Sequence, residues 1–502
     1  MTVRITGMAS GMDVDKMVQE LMKARRMKYD NMVKDRTKVE WQQEDYRSLT
    51  AKIVDFRNNK LSNYSLSGAI NAQTTKVTGD TNALTVTATS SSATGSLNVE
   101  VIDVAKADTF VYGFKQGTSE FSNGTTISIN GQSIALGTGD NMKTLADKIN
   151  ADPVKYKATA TYNNGTLSIK ATTTGAGKLT VTGFDTTDTE DPPGSGTIRA
   201  ATVSADVTTY KGSDATIKVD GVEFKQSNND FTVNGVSFRV NAKTTTAATL
   251  TSTKDNDKIV NTIKSFVADY NALIDAINPK LVEKKNYKFS PLTDDQKKEM
   301  KDKEIEQWEE KARSGSLAHD NTLGKLVADL RLAATSLIEG VADPTPADPN
   351  KKLSIGITSG SYTEKGKLYL DEDKLRAVLN SDPNKVVQLF TAPGTVDAGG
   401  KLDTSASNKA VGVFTRMSSS AMETLKGLSS KAGTSMYSTD TKTAFLENSL
   451  LSTQVRLMKK REDLELDKLS SLENHYYKIF ASMETSINRF NTQSSSLFSM
   501  GK

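Results

Sequence analysis

Residues 446–498 read as one long amphipathic helix, and its apolar face limits what the rest of the chain can be. From Leu469 onward, Leu469, Leu472, Tyr476, Ile479, Met483, Phe490 and Leu497 follow an alternating three–four spacing, interrupted only by Ser486 and Gln493. That alternation is the pattern of a coiled-coil seam. Upstream the stripe moves to Leu450, Leu457 and Leu464, so the frame drifts once around residues 464–469, like a stutter. Nothing after Leu497 offers a cover. The seam is expected to find its partner elsewhere in the chain or in another subunit.

The N-terminal region offers one candidate. Residues 1–12 carry Thr6, Gly7, Ser10 and Gly11 without a period, and read as flexible while the protein is alone. Asp13 then reads as an N-cap. Val14, Val18, Leu21, Met32, Val39, Tyr46, Leu49, Ile53 and Phe56 share one heptad frame, with Arg25, Lys28, Asp35 and Gln42 as its polar members. A helix from 13 to about 60 would be roughly 70 Å long. That length predicts a projecting or coiled element rather than an ordinary globular helix. The basic cluster Lys23, Arg25, Arg26 and Lys28 has Glu20, Asp30 and Asp35 nearby and reads as a solvated helix face.

From about residue 72 the pattern changes to strands. Residues 74–101 alternate Thr and Val, with Gly79 and Gly95 as turn points. Thr126–Gly131 alternates and ends on an Asn-Gly turn; a short helix carrying Leu145, Ala146 and Ile149 follows. Strands over 158–162 and 167–171 meet through Asn163-Asn164-Gly165, and further strands are expected between 213 and 250, turning at Asp220-Gly221 and Asn234-Gly235. The acidic stretch Asp185–Gly196 does not match an EF-hand spacing and reads as a surface loop.

Helices return after residue 255. Asp255 or Asp257 is expected to cap a helix carrying Ile259, Ile263, Phe266, Tyr270, Leu273 and Ile277, closed by Pro279. Residues 293–313 read as one mixed-charge helix anchored by Ile305, Trp308 and Ala312. Asn321 is expected to cap the next, with Leu323, Leu326, Val327, Leu330, Leu337 and Ile338 on its core face and Gly340 at its end. The Pro-rich piece 343–350 reads as a surface connection. Asp371 and Asp382-Pro383 each read as helix starts. From 411 the chain is expected to run helical into the terminal element.

These readings predict an α+β multidomain chain of nested plan. Residues 1–44 plus 455–502 would be a terminal coiled-coil region, flexible when unassembled. Residues 45–71 plus 252–454 would be a helical leg, 72–105 plus 201–251 a β-rich head domain, and 106–200 a second β-rich domain inserted in it.

Composition narrows the chemistry. There is no cysteine, so disulfides, thiolate catalysis and Cys-based metal sites are excluded. His319 and His475 are the only histidines, which leaves little for a histidine metal site or a Ser-His-Asp triad. Gly137-Thr138-Gly139-Asp140 lacks the Lys-Ser/Thr of a phosphate loop. Adjacent acids such as Asp294-Asp295 and Glu309-Glu310 point in different directions on a helix. A net charge of +4, with basic residues spread along helices, gives no nucleic-acid footprint. No stretch reaches 18 apolar residues, so no membrane span is expected. The N-terminus has no signal-peptide core, which fits either a cytosolic protein or one exported without cleavage. No catalytic residue, cofactor or metal is expected. Long unpaired amphipathic helices at both ends point to assembly.

Several stretches in order carry a resemblance. Arg4–Asp15 (RITGMASGMDVD) followed by Leu21-Met22-Lys23-Ala24 resembles the N-terminal signature of the flagellar filament cap family, the hook-associated protein 2 family. Residues 121–175, centred on Ile127–Gly131 and Leu145–Asn150, resemble the small β insertion motif shared by flagellins and hook proteins. Residues 213–278 resemble the start of that family's C-terminal half. Ser290–Asp294, Trp308–Ala312 and Gly315–Leu317 are similar to the stretch that follows in its Gram-positive members.

The resemblance implies a bacterial protein exported unfolded through the flagellar type III channel and located outside the cell at the filament tip. There it would form a homo-oligomer, a pentamer or similar ring. It would promote folding and insertion of flagellin and prevent loss of subunits to the medium. Implied partners are flagellin, the hook–filament junction protein and an export chaperone on the C-terminal helix, with no nucleic acid and no membrane. The expected docking seam is Val14, Val18, Leu21, Val39, Leu469, Leu472, Tyr476, Ile479, Met483, Phe490 and Leu497. The alternatives are a hook–filament junction protein, which would polymerise or stay at the hook, and a surface adhesin of the flagellum, for which no aromatic glycan platform is visible.

Overall fold

The computed structural model describes residues 13–113, 120–121, 124–184, 197–198, 207–335, 355–394, 396, 402–408 and 410–500. The expectations for residues 1–12, 185–196, Leu337, Ile338, Gly340 and 343–350 lie outside the described residues. The chain is an α+β multidomain protein with long terminal helices. Its contacts divide it into two units, residues 1–70 with 256–502, and residues 71–255.

The helical unit is built on the N-terminal helix Val14–Asp55. Asp13 caps it by accepting from the Lys16 amide. The chain continues through a π-type turn, Phe56–Leu61, into the short helix Ser62–Ser65. Tyr46, Leu49, Ile53, Val54 and Phe56 are buried. The helix Asn256–Val282 supplies the periodic face expected of it, with all six of its named apolar residues buried. Phe266 meets Phe390 and Phe414 at ring-centroid distances of 5.8 and 5.2 Å. Edge-on aromatic packing of this kind adds to the stabilisation from area burial.

Four boundaries differ from the sequence expectation. Pro279 lies inside its helix rather than closing it, because only Lys280–Val282 follow and the missing N–H is felt in a last turn. The 293–313 stretch is two helices, Asp294–Lys298 and Asp302–Arg313. Thr293 with Gln296 starts the first, and Glu304 accepts from the Lys301 amide to start the second. Asp320, rather than Asn321, accepts from the Leu323 amide at the head of Asn321–Thr335. The run from 411 is broken as well. Helix Val413–Ala432 stops at Gly433, whose φ of +74° only glycine adopts cheaply. An irregular segment then leads to the C-terminal helix Leu450–Met500.

The β unit runs Gln73–Thr78 (β1), Leu84–Thr89 (β2), Gly95–Asp103 (β3), Thr109–Gly113 (β4), Glu120–Phe121 (β5), Thr125–Ile129 (β6), Gln132–Leu136 (β7), Ala158–Asn163 (β8), Thr166–Ala171 (β9), Val181–Thr182 (β10), Thr197–Ile198 (β11), Val207–Tyr210 (β12), Ala215–Val219 (β13), Val222–Gln226 (β14), Asp230–Val233 (β15), Val236–Val240 (β16) and Ala248–Lys254 (β17). A five-stranded sheet, β1-β17-β3-β13-β14, shares a core with a three-stranded sheet, β15-β16-β2. Leu97, Val99, Ile217, Phe231, Phe238 and Leu250 fill it.

The residues between β3 and β13 form a second core from β12-β4-β9-β8, β10-β6-β7 and the helix Met142–Ala151. Asn130-Gly131, Asn164-Gly165, Asp220-Gly221 and Asn234-Gly235 all have positive φ at both positions. That is the type I′ geometry matching strand twist, which explains why these pairs mark hairpins.

Candidate docking surface

The two terminal helices lie side by side and antiparallel. Val14 and Val18 pack with Phe480, and Met22, Tyr476, Tyr477 and Met483 lean on that cluster. Further along, Lys28 Nζ meets Glu465 at 2.9 Å, Arg36 meets Glu462 at 2.9 Å and Lys459 meets Glu40 at 3.4 Å. Gln43 donates to the Ser452 hydroxyl at 3.0 Å and to the Ala432 carbonyl at 3.1 Å. As numbers rise on one helix they fall on the other.

The seam residues divide between two faces. Val14, Val18 and Leu469 are buried, while Val39, Leu472, Tyr476 and Met483 are half-buried. Leu21 remains 43% exposed, Ile479 47%, Phe490 69% and Leu497 72%. Phe480, which the heptad reading passed over, takes the buried position in place of Ile479. Both lie three or four residues from Tyr476 and Met483, so spacing to those neighbours does not separate them. A longer count does. Leu451, Leu469 and Phe480 are buried and fall at steps of 18 and 11. Eighteen residues are five turns of a straight helix, and eleven are close to three. These buried positions of the C-terminal helix thus follow the straight-helix period. Leu450, Leu457 and Leu464, at seven-residue steps, are left exposed.

Charge fixes the hairpin at its root. Tyr46 and Lys431 both donate to Asp320 at 2.6 Å, and Lys431 lies 5.0 Å from the centre of the Tyr46 ring. Burial and the neighbouring Asp320 push the Tyr46 phenol well up, so it stays a donor. Burial alone would raise the Asp320 carboxyl, but bonds from Lys431, Tyr46 and the Leu323 amide hold it below its ordinary value. Beside Tyr46, Asp45 accepts from Arg313 at 3.0 Å and from the Ser316 hydroxyl, and Arg313 also donates to Glu44 at 2.9 Å. The Arg47 guanidinium sits 4.3 Å from the centre of the Phe445 ring and donates to the Thr443 carbonyl.

Among the described residues, no group of three or more His, Cys, Asp or Glu side chains could hold a metal ion, and no helix is long and apolar enough to cross a membrane. His475 lies on the exposed side of the C-terminal helix, 6.4 Å from Tyr476 between ring centroids. On the helical hairpin, Leu21, Ile479, Phe490 and Leu497 are large apolar residues left exposed.

The chain matches one family in both halves. The family model described as Flagellar hook-associated protein 2 N-terminus covers residues 10–108, and the one for its C-terminus covers residues 212–492. The chain belongs to the flagellar hook-associated protein 2 family. The protein of that name from Halalkalibacterium halodurans is 31% identical over 257 residues, half of this chain and 46% of the relative. The one from Thermotoga maritima is 26% identical over 275 residues, 53% of this chain and 40% of the relative. The matched stretch thus spans less than half of each relative's length. Among solved structures, the flagellar cap protein FliD D1-D2-D3 domains from Escherichia coli are 20% identical, covering 82% of this chain and 99% of that one at a TM-score of 0.49.

Proposed function

We propose that this protein is a filament cap, a ring of identical subunits at the distal end of the bacterial flagellum. It holds exported flagellin there and promotes its folding and insertion. The observation that carries this reading is the hairpin tip, where Leu21, Ile479, Phe490 and Leu497 stay exposed on two long helices rooted in a packed unit. Family membership supplies the setting. In this reading residues 1–44 plus 455–502 dock on filament subunits, 45–71 plus 252–454 form the leg, and 72–105 plus 201–251 with the inserted 106–200 form the plate.

Docking on a small apolar stripe gives contacts that release, so the cap steps as each subunit enters. Ser486 and Gln493 keep the stripe discontinuous. The same helix would bind an export chaperone before secretion through the flagellar channel without a cleaved signal, and the hook–filament junction protein is the first surface it would meet outside. Electron microscopy of growing filaments with labelled protein tests the reading. Label at the distal tip supports it; label at the hook boundary or along the shaft overturns it.

A further inference from the structure

The strand β14 ends the five-stranded sheet, and each of its five residues is exposed. Its hairpin with β13 pairs Val219 with Val222, Ile217 with Phe224 and Ala215 with Gln226. The two-residue turn Asp220-Gly221 makes Val219 and Val222 the hydrogen-bonded closing pair. Ladder bonds alternate from there, so Val222, Phe224 and Gln226 bond inward to β13. The N–H and C=O of Glu223 and Lys225 therefore point out of the sheet edge. Open edges are templates for strand addition and are commonly blunted by charge. Here the charges do not simply repel, since Glu223 and Lys225 are opposite in sign and two residues apart.

We propose that β14 is an isologous contact, pairing antiparallel with β14 of a second copy of this chain about a two-fold axis at Phe224. In that register Glu223 lies opposite Lys225 of the second copy, and Lys225 opposite its Glu223. These are the residues with free backbone groups, so four N–H···O bonds form where opposite charges also meet. Phe224 faces its own counterpart in the closer, non-hydrogen-bonded type of pair. The apolar row Val101–Ile217–Phe224 then continues across the axis. Sliding the register by two residues either way sets Glu223 against Glu223 or Lys225 against Lys225. Charge complementarity thus selects both the partner and the register.

Lys225 has only a 3.8 Å pairing with Asp214 at present, and its side chain is free to turn to the new partner. Five residues a side is far less contact than the roughly 1,200 Å² of a stable complex, so the association is weak and concentration-dependent. A two-fold contact closes on itself and leaves the rest of the β unit free. This inference stands apart from the cap reading.

The chain has no cysteine, so single-cysteine variants of the full chain report the register directly. Phe224→Cys should form a disulfide-linked dimer under mild oxidation. Val222→Cys should not, because its counterpart lies four residues along the strand and out of reach. Mixing Val222→Cys with Gln226→Cys chains should restore the link. Independently, Glu223→Lys or Lys225→Glu alone should weaken dimerisation in sedimentation equilibrium about tenfold, and the double reversal should recover it. Equal cross-linking at 222 and 224, no cross-linking at 224, or no response to the charge series would each overturn the proposal.

Discussion

The root and the tip of the helical hairpin are made from the same two helices by different means. At the root, Arg36, Glu40 and Gln43 meet Glu462, Lys459 and Ser452, and Asp45 and Tyr46 join a charge network with Arg313, Asp320 and Lys431. At the tip, the buried cluster is Val14, Val18 and Phe480, while Leu21, Ile479, Phe490 and Leu497 stay exposed. The root's bonds are made within the helical unit, whereas the tip keeps exposed apolar residues among those described. A segment with few buried contacts opens locally at low cost, and such segments are where docking surfaces are found. The contrast is open to experiment at both ends.

The largest effect is expected at the root. Asp45→Ala removes the Ser316 hydroxyl's carboxylate acceptor and one acceptor of Arg313, which keeps Glu44 and the Trp41 carbonyl, and should cost about 2–3 kcal/mol, as losing hydrogen bonds to a largely buried charge does. Urea unfolding of the full chain measures it. Phe480→Ala should cost about 2 kcal/mol from lost burial alone. That loss should stay local, with hydrogen exchange accelerating over Val14–Lys28 while the Tyr46–Val54 amides keep their protection.

Acid should discriminate the two regions as well. The folded Asp320 carboxyl lies below its unfolded value of about 3.9. Its contribution is therefore complete above that pH and is lost as pH falls through the lower folded value. The root should hold to about pH 4 and loosen below it, and Asp320→Asn should flatten that acid limb in pH-dependent unfolding. The smallest effect on stability belongs to the exposed stripe. Ser486→Leu with Gln493→Leu should shift unfolding by less than about 0.5 kcal/mol, yet slow filament growth by making docking slower to release.

How much of this was legible beforehand differs by region for a physical reason. The hairpins at Asn130-Gly131, Asn164-Gly165, Asp220-Gly221 and Asn234-Gly235 could be read because left-handed turns demand those residue types locally. The Asp371 cap and the Asp382-Pro383 start could be read for another local reason, the free amides of a helix's first turn, and each aspartate accepts from one of them. The two long terminal helices were visible in their periodicity. Which face of the C-terminal helix is buried was not, because Ile479 and Phe480 fit the local spacing equally and the choice is made by the partner helix.

The root network was invisible too. Asp45, Arg313 and Asp320 are ordinary charged residues until tertiary packing brings residues hundreds of positions apart together. The break at Gly433 was a missed local signal, a glycine after a helical run followed by a Ser/Thr-rich stretch. The residues between the two family matches, 109–211, contain the second β core. Its fold follows from the same turn rules as the first.

In the proposed role the exposed tip face docks while the root only holds it in place. The most direct measurement is the location of labelled Ile479→Asp, Phe490→Asp protein on growing filaments, paired with its urea unfolding midpoint. The expected result is an unfolding midpoint indistinguishable from that of the parent chain and loss of the label from filament tips. An unchanged midpoint with label still at the tip would contradict it.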